Sequence, residues 1–283
     1  MIRLLRRGYD ILRDEGWIPF LRKSFAFARD GPKTYVGRIF DRLYPRLPPT
    51  VVTYHFELRS RRRTDVSDAN PARPVWVDPQ QIDHYQGSGP KEFGLVADGD
   101  WDDPECRFNE HPVYRSISSR YGDGVDWTDT ELYERYRERI RKGNPYWRCT
   151  TREELECYFE SIDRLYEAIS ENGYKSQREL LAEDPVSVRR RNTDAPHPVL
   201  QEIGVNVHRD GTLAKKGAGF HRLALARVIG VRRVPVTVRV RHAEWQSIRD
   251  EIGRTSSPEG LSSRARERLD HPDLNGIVPD SWQ

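Results

Sequence analysis

The sequence predicts an α+β protein, a small mixed β-sheet carrying a large helical insertion and an N-terminal helical extension. Three observations carry that prediction. Short alternating apolar runs lie near 75–97 and 203–240. Apolar positions recur at helical spacing between Trp127 and Tyr174. A glycine-punctuated turn at 217–219 leads into a small-residue helix and then into the run "VPVTVRVRH".

Composition narrows the class. With 283 residues, 36% of them hydrophobic and 32% charged, the chain can bury a real core and has no run of eighteen apolar residues. Charges interrupt the apolar stretches near the start, which does not fit a signal peptide, so a cytoplasmic protein is expected. A net charge of +3 argues against nucleic-acid binding through bulk charge. Arginine nevertheless outnumbers lysine and gathers at Arg59–Arg63, Arg189–Arg191 and Arg222–Arg241, which keeps a DNA- or RNA-binding or nuclease role as an alternative. Cys106, Cys149 and Cys157 show no C-x-x-C spacing and read as reduced thiols rather than zinc ligands.

Residues 1–49 read as the extension. Within 1–29, Leu4, Leu5, Ile11, Trp17, Ile18 and Leu21 form an apolar set against Arg3, Arg6, Arg7, Arg13 and Arg22. Such a segment can pack on the main domain or a partner, or lie on an anionic membrane surface as the anchor of a non-catalytic binding module. Residues 50–73 read as a strand, "TVVTYHFELRS", and a polar linker, and the main domain is expected over 74–245. "PVWVDPQQIDHYQ" gives a short strand and a turn, and "GLVADGDWDD" a strand ending in an acidic turn. In the insertion, about 127–175, one helix is capped by Thr128 or Asp129 and stops at Gly143. The next is capped by Thr150 or Thr151 and closes at Asn172-Gly173. Ile203, Val205 and Val207 alternate as a strand, Asp210-Gly211 turns the chain back, and Val234–Val240 forms a last strand before a helical tail at 246–283.

The sharpest chemical signal is the turn. Gly217 and Gly219 allow positive φ and close backbone approach, and the helix they open presents unpaired N–H groups that favour an anion. Arg222 adds a planar fork of donors, His221 a donor or proton carrier, and Lys216 and Lys215 flank the turn. The residue types alone fit either a phosphate cradle or an ordinary strand–helix connection.

The order hairpin, Gly219-Phe220-His221-Arg222, Ala224, Ala226, Gly230 and then a strand from Val234 resembles the ParB/sulfiredoxin-like superfamily. "VWVDPQQIDHY" is similar to that superfamily's first strand and turn. The resemblance implies that the turn touches nucleotide phosphates. Phe220 stands where sulfiredoxins keep a catalytic cysteine and ParB proteins an acidic residue. Too little chain follows for a ParB DNA-binding domain. The remaining kinase-like and ATPase-like branch implies a nucleoside triphosphate, ATP above others, with Mg, acting on a small-molecule or protein acceptor.

Phosphoryl transfer needs carboxylates for a metal and a base. The dense run Asp98-Gly99-Asp100-Trp101-Asp102-Asp103 supplies them, with Asp100 and Asp102 as the expected catalytic and metal-binding pair. Glu202, at the head of the hairpin, and His242, after the last strand, are secondary candidates. Tyr174, Lys175 and Gln177 could meet a substrate after the second insertion helix.

Overall fold

The computed structural model describes Phe20 and residues 43–103, 106–145, 149–192 and 194–282. The chain divides into two compact units, 1–47 and 48–283. The amphipathic segment expected over 1–29 lies outside the described residues, apart from Phe20. The sheet and its covering helices belong to the second unit.

Seven strands form one mixed sheet in the spatial order β1 (Val75–Val77), β7 (Val234–His242), β5 (Ile203–Val207), β6 (Leu213–Lys215), β2 (His84–Tyr85), β4 (Cys106–Arg107), with β3 (Leu95–Ala97) pairing further along β7. The central pair, β5 and β7, is parallel, whereas β5 and β6 form the expected antiparallel hairpin. Helix α7 (Phe220–Ile229) makes the crossover between β6 and β7.

The two sheet faces differ because the strands alternate. Ile203, Val205, Val207, Leu213, Val234, Val236 and Val238 point into the hydrophobic core. That face is covered by α7, α2 (Pro112–Gly122), α3 (Glu131–Arg141) and α4 (Arg152–Asn172), through Leu223, Ile117, Leu132 and Phe159. The opposite face carries Asn206 and Thr237, both buried, and the loop Gly87–Lys91 lies over it.

The helical region is wider than expected, running from α2 through α5 (Gln177–Glu183) and α6 (Pro185–Arg191). Thr151 caps α4 in a reciprocal box with Glu154. The cap of α3 is Thr130, not Thr128 or Asp129, because Trp127–Asp129 makes a 3₁₀ turn ahead of it. The run "TVVTYHFELRS" is not a strand. It forms helix α1 (Pro49–Ser60), where Pro49 supplies a preset first turn and Val52 and Phe56, four apart, supply the buried face. The β-branched residues of that run favour a strand locally, and tertiary burial overrides them.

The C-terminal region is stitched to the sheet by charge. Asp273 receives Arg241 Nε at 2.9 Å and Nη2 at 2.5 Å, Trp245 Nε1 at 2.9 Å and the Arg249 guanidinium at 3.4 Å. Arg249, from helix α8 (Ala243–Arg254), also donates to Asp68 at 2.9 Å. Burial alone pushes the Asp273 carboxyl up, but Arg241 and Arg249 prevail and hold it at about 2. A depressed folded pKa contributes stability that is present above the unfolded value near ~4 and lost as pH falls toward 2. Asp273→Ala strands two buried guanidinium groups and is expected to cost about 3–5 kcal/mol in urea unfolding at pH 7. That penalty should shrink as the pH approaches 2; a variant as stable as the parent at pH 7 would show that the network is not structural.

Candidate functional site: the glycine turn and its buried cations

The turn is held by strand β5. Gly204 N donates to Ala218 O at 3.0 Å, and Lys216 N donates to Gly204 O at 2.8 Å, so the turn lies directly over the start of that strand. Gly219 caps α7 with φ 88°, and a Cβ there would stand 2.9 Å from the Ile203 Cα, closer than real side chains approach backbone. Gly217 also has positive φ, at 73°, and its open side faces the Arg239 guanidinium.

Four cations converge on these few residues. Lys215 is fully buried on the helical face, donates to Gly217 O at 2.6 Å and sits 4.2 Å from the centre of the Phe220 ring. Burial first, then Arg222 and Arg239, lowers its pKa well below the ordinary lysine value. Lys216 projects to the other face and donates to Gly87 O at 2.7 Å and to Ser88 O. Arg239 donates to Lys91 O at 3.0 Å and lies over the Phe93 ring. Burial lowers its pKa too, against the field of Asp194. Arg222 donates to Gln201 O.

Asp194 acts on Lys215 as well as on Arg239, and Glu202, almost wholly buried, reaches Arg222, with Oε2 3.5 Å from Arg222 Nη1 and Oε1 accepting from Gln177 N at 2.6 Å. Burial raises its pKa to about 7, with Arg222 opposing. Glu202 Oε2, Arg222 Nη1 and the Tyr174 hydroxyl are all buried without a hydrogen-bond partner. Burial raises the Tyr174 hydroxyl to about 12. His221 meets the Tyr158 hydroxyl at 2.7 Å, and burial, then His111 and Arg222, lowers its pKa to about 4, so its ring is neutral at pH 7. Phe220 packs against His111, Tyr85 and Phe108.

The structure therefore brings together Gly217, Gly219, His221, Arg222, Lys216 and Glu202. Asp100 and Asp102 belong elsewhere. Arg209 grips Asp102 through Nε and Nη2, at 2.9 and 2.6 Å, and through its backbone N at 2.9 Å, and its Nη2 also reaches Asp100 at 2.8 Å. The hydrogen bonds from Arg209 hold the Asp102 carboxyl well below the usual range. His242 sits here as well, bonded to Gly99 O at 2.9 Å and capping α8 through Nδ1. Arg209 lies beyond the end of β5, while the glycine turn lies at its start, so the four steps of that strand separate the two places by at least about 13 Å. Arg209 holds both Asp102 oxygens, while the Asp100 carboxylate meets it through Oδ1 alone and is otherwise exposed. Among the described residues no group of three or more His, Cys, Asp or Glu side chains is placed to hold a metal ion.

Sequence reasoning misses Arg239 and Tyr158. Arg239 carries a signal, an arginine at an alternate position of an otherwise apolar strand, but it reads equally as part of an arginine-rich stretch suited to nucleic acid. Several of those arginines are engaged within the chain: Arg59 pairs with Glu92, Arg63 with Asp65, and Arg241 with Asp273. Of the other candidates, Lys175 pairs with Glu183 at 2.8 Å, and Asp210 closes its own turn through Thr212. Among the described residues no helix is long and apolar enough to cross a membrane. No family model matches the chain, and neither a curated protein nor a solved structure matches it.

Two outcomes test this geometry. Gly219→Ala forces a left-handed conformation on a Cβ-bearing residue and is expected to cost at least about 1–2 kcal/mol by thermal unfolding. Glu202 has a raised folded pKa, so its contribution is fully present below the unfolded value near ~4.3 and is lost as pH rises through about 7. The fall in stability between those pH values should flatten in Glu202→Gln; an unchanged profile would mean that Glu202 titrates normally.

Proposed function

We propose that the chain binds a nucleoside triphosphate, ATP above others, through its phosphates at Gly217–Arg222, as a protein of ParB/sulfiredoxin-like type. The observation that carries this reading is the concentration of Lys215, Lys216, Arg222 and Arg239 around a positive-φ turn that opens helix α7. Buried cations are costly unless matched by an anion. Here Lys215, Lys216 and Arg239 donate to backbone carbonyls, and burial raises the Glu202 carboxyl to about 7. Asp194 and Glu202 offset part of this positive charge, and phosphate oxygens add to them and accept from the N–H groups of the helix start.

The reading extends to phosphoryl transfer onto a hydroxyl of a small-molecule or protein acceptor. Glu202, not Asp100 or Asp102, is then the base: it takes the hydroxyl proton as the acceptor oxygen bonds to the terminal phosphorus and the bond to the nucleoside diphosphate breaks. A pKa of about 7 suits that task at neutral pH. Magnesium enters this reading only as the counter-ion carried by the triphosphate.

Thermal shift against a nucleotide panel, with and without magnesium, is the direct test, since a ligand that binds the native state raises its stability. A saturating triphosphate should raise the midpoint of the parent protein, and Arg222→Ala should abolish the shift. Binding with full affinity in Arg222→Ala would remove the assignment.

A further inference from the structure

The sheet face turned away from the helices is polar in a way the core does not require. Four side-chain atoms on it are buried without a hydrogen-bond partner: His84 Nδ1, Asn206 Oδ1, His208 Nε2 and Thr237 Oγ1. Strand register places them together. His84 pairs with Ala214, which pairs with Asn206. His208 is two residues beyond Asn206, and Thr237 pairs with Gly204, two residues before it. These atoms form one patch a few strands wide rather than scattered defects. Native structures leave few such atoms unmatched, so a cluster of four on one face calls for an occupant.

The patch is roofed by the loop Gly87–Lys91, held by donors from the sheet. Lys216 donates to Gly87 O and Ser88 O, Asn206 to Pro90 O at 3.3 Å, and Arg239 to Lys91 O. At its inner end the patch reaches Arg239, whose guanidinium faces Gly217 of the phosphate turn and is partly exposed. The glycine turn is thus the shared edge of the two sheet faces, with Lys215 on one side and Lys216 on the other.

We propose that the nucleoside half of the bound nucleotide lies on this polar face, beneath the Gly87–Lys91 loop, with the ligand bending over Gly217 past Arg239. This inference rests on the phosphate reading above. Sugar hydroxyls donate to Asn206 Oδ1 and Thr237 Oγ1, and ring or sugar polar groups match the imidazoles of His84 and His208. Burial lowers the His208 pKa, which keeps that imidazole able to accept a hydrogen bond at neutral pH. Entry requires the loop to lift, exchanging its carbonyls for ligand groups on the same donors.

Thr237→Val tests this, because it removes the hydroxyl while keeping the shape. Binding of ATP and of inorganic tripolyphosphate is measured by calorimetry on the parent, Thr237→Val, Thr237→Ser and Arg222→Ala proteins. Thr237→Val is expected to raise the ligand-free thermal midpoint, since an unmatched hydroxyl is lost. It should weaken ATP by roughly tenfold, the weight of one buried hydrogen bond, and leave tripolyphosphate unchanged. Thr237→Ser, which keeps the hydroxyl, should retain ATP affinity. Equal affinity of the parent for ATP and tripolyphosphate, or an unchanged ATP affinity in Thr237→Val, overturns the nucleoside placement. If Arg222→Ala still loses both ligands in that case, the phosphate reading stands alone. No tripolyphosphate binding by the parent protein overturns both.

Discussion

Strand β5 passes so close beneath the glycine turn that only a residue without a side chain fits at position 204. The N–H and C=O of Gly204 are both spent on the turn, and a Cβ would run into the Lys216 carbonyl. This backbone-on-backbone approach decides what the neighbouring residues can do. It fixes the register of the turn on the sheet, sends Lys215 into the helical face and Lys216 to the polar face, and aims α7 from Gly219 along the core. A side chain at 204 would lift the turn and disperse the cations around it.

Charge placement follows a consistent logic across the molecule. Where a charge has only a structural duty, the chain supplies its opposite at short range, as in the Arg209 grip on Asp102 and the Arg241–Asp273 pair. Around Gly217 the match is looser, with the field of Asp194 and the 3.5 Å approach of Glu202 to Arg222 set against four cations. Burial lowers the pKa of Lys215 and Arg239 and raises that of Glu202, which is the cost of placing these charges inside. A protein interior tolerates such a cost only if the rest of the fold over-determines it, and here the valine-rich strands and the packing of α7 on α2 do so.

Much of this is legible in the sequence because it depends on local rules. The alternation in Ile203–Val207, the Asp210-Gly211 hairpin, the caps at Thr151 and Gly173 and the stop at Gly230 each follow from residue chemistry over a few positions. The turn itself, with Gly219, His221 and Arg222, is legible for the same reason. What is not legible depends on distant pairing. Four carboxylates in six residues look the same whether or not an arginine lies against them, and Arg209, more than a hundred positions later, is a partner that no local pattern reveals. Glu202 stands out little in the sequence because nothing in its neighbourhood says that it will be buried against Gln177 and Arg222. The short strands β2 and β4, two residues each, carry no periodicity to read; they exist because β6 and each other offer edges to pair with. The run at 49–60 misleads because its β-branched residues speak for a strand while Pro49 and the four-residue spacing of Val52 and Phe56 speak for a helix.

The Asp273 knot bears on the order in which the molecule can be made. Arg241 precedes its carboxylate partner by 32 residues. During synthesis the central strand β7 emerges with a guanidinium destined for the interior and nothing yet to neutralise it. Burying that strand early would carry a bare charge inside, so the sheet cannot settle until the tail has been released and has docked. A chain cut short before Asp273 would hold every residue of the glycine turn and still carry the Arg241 charge unpaired in its central strand.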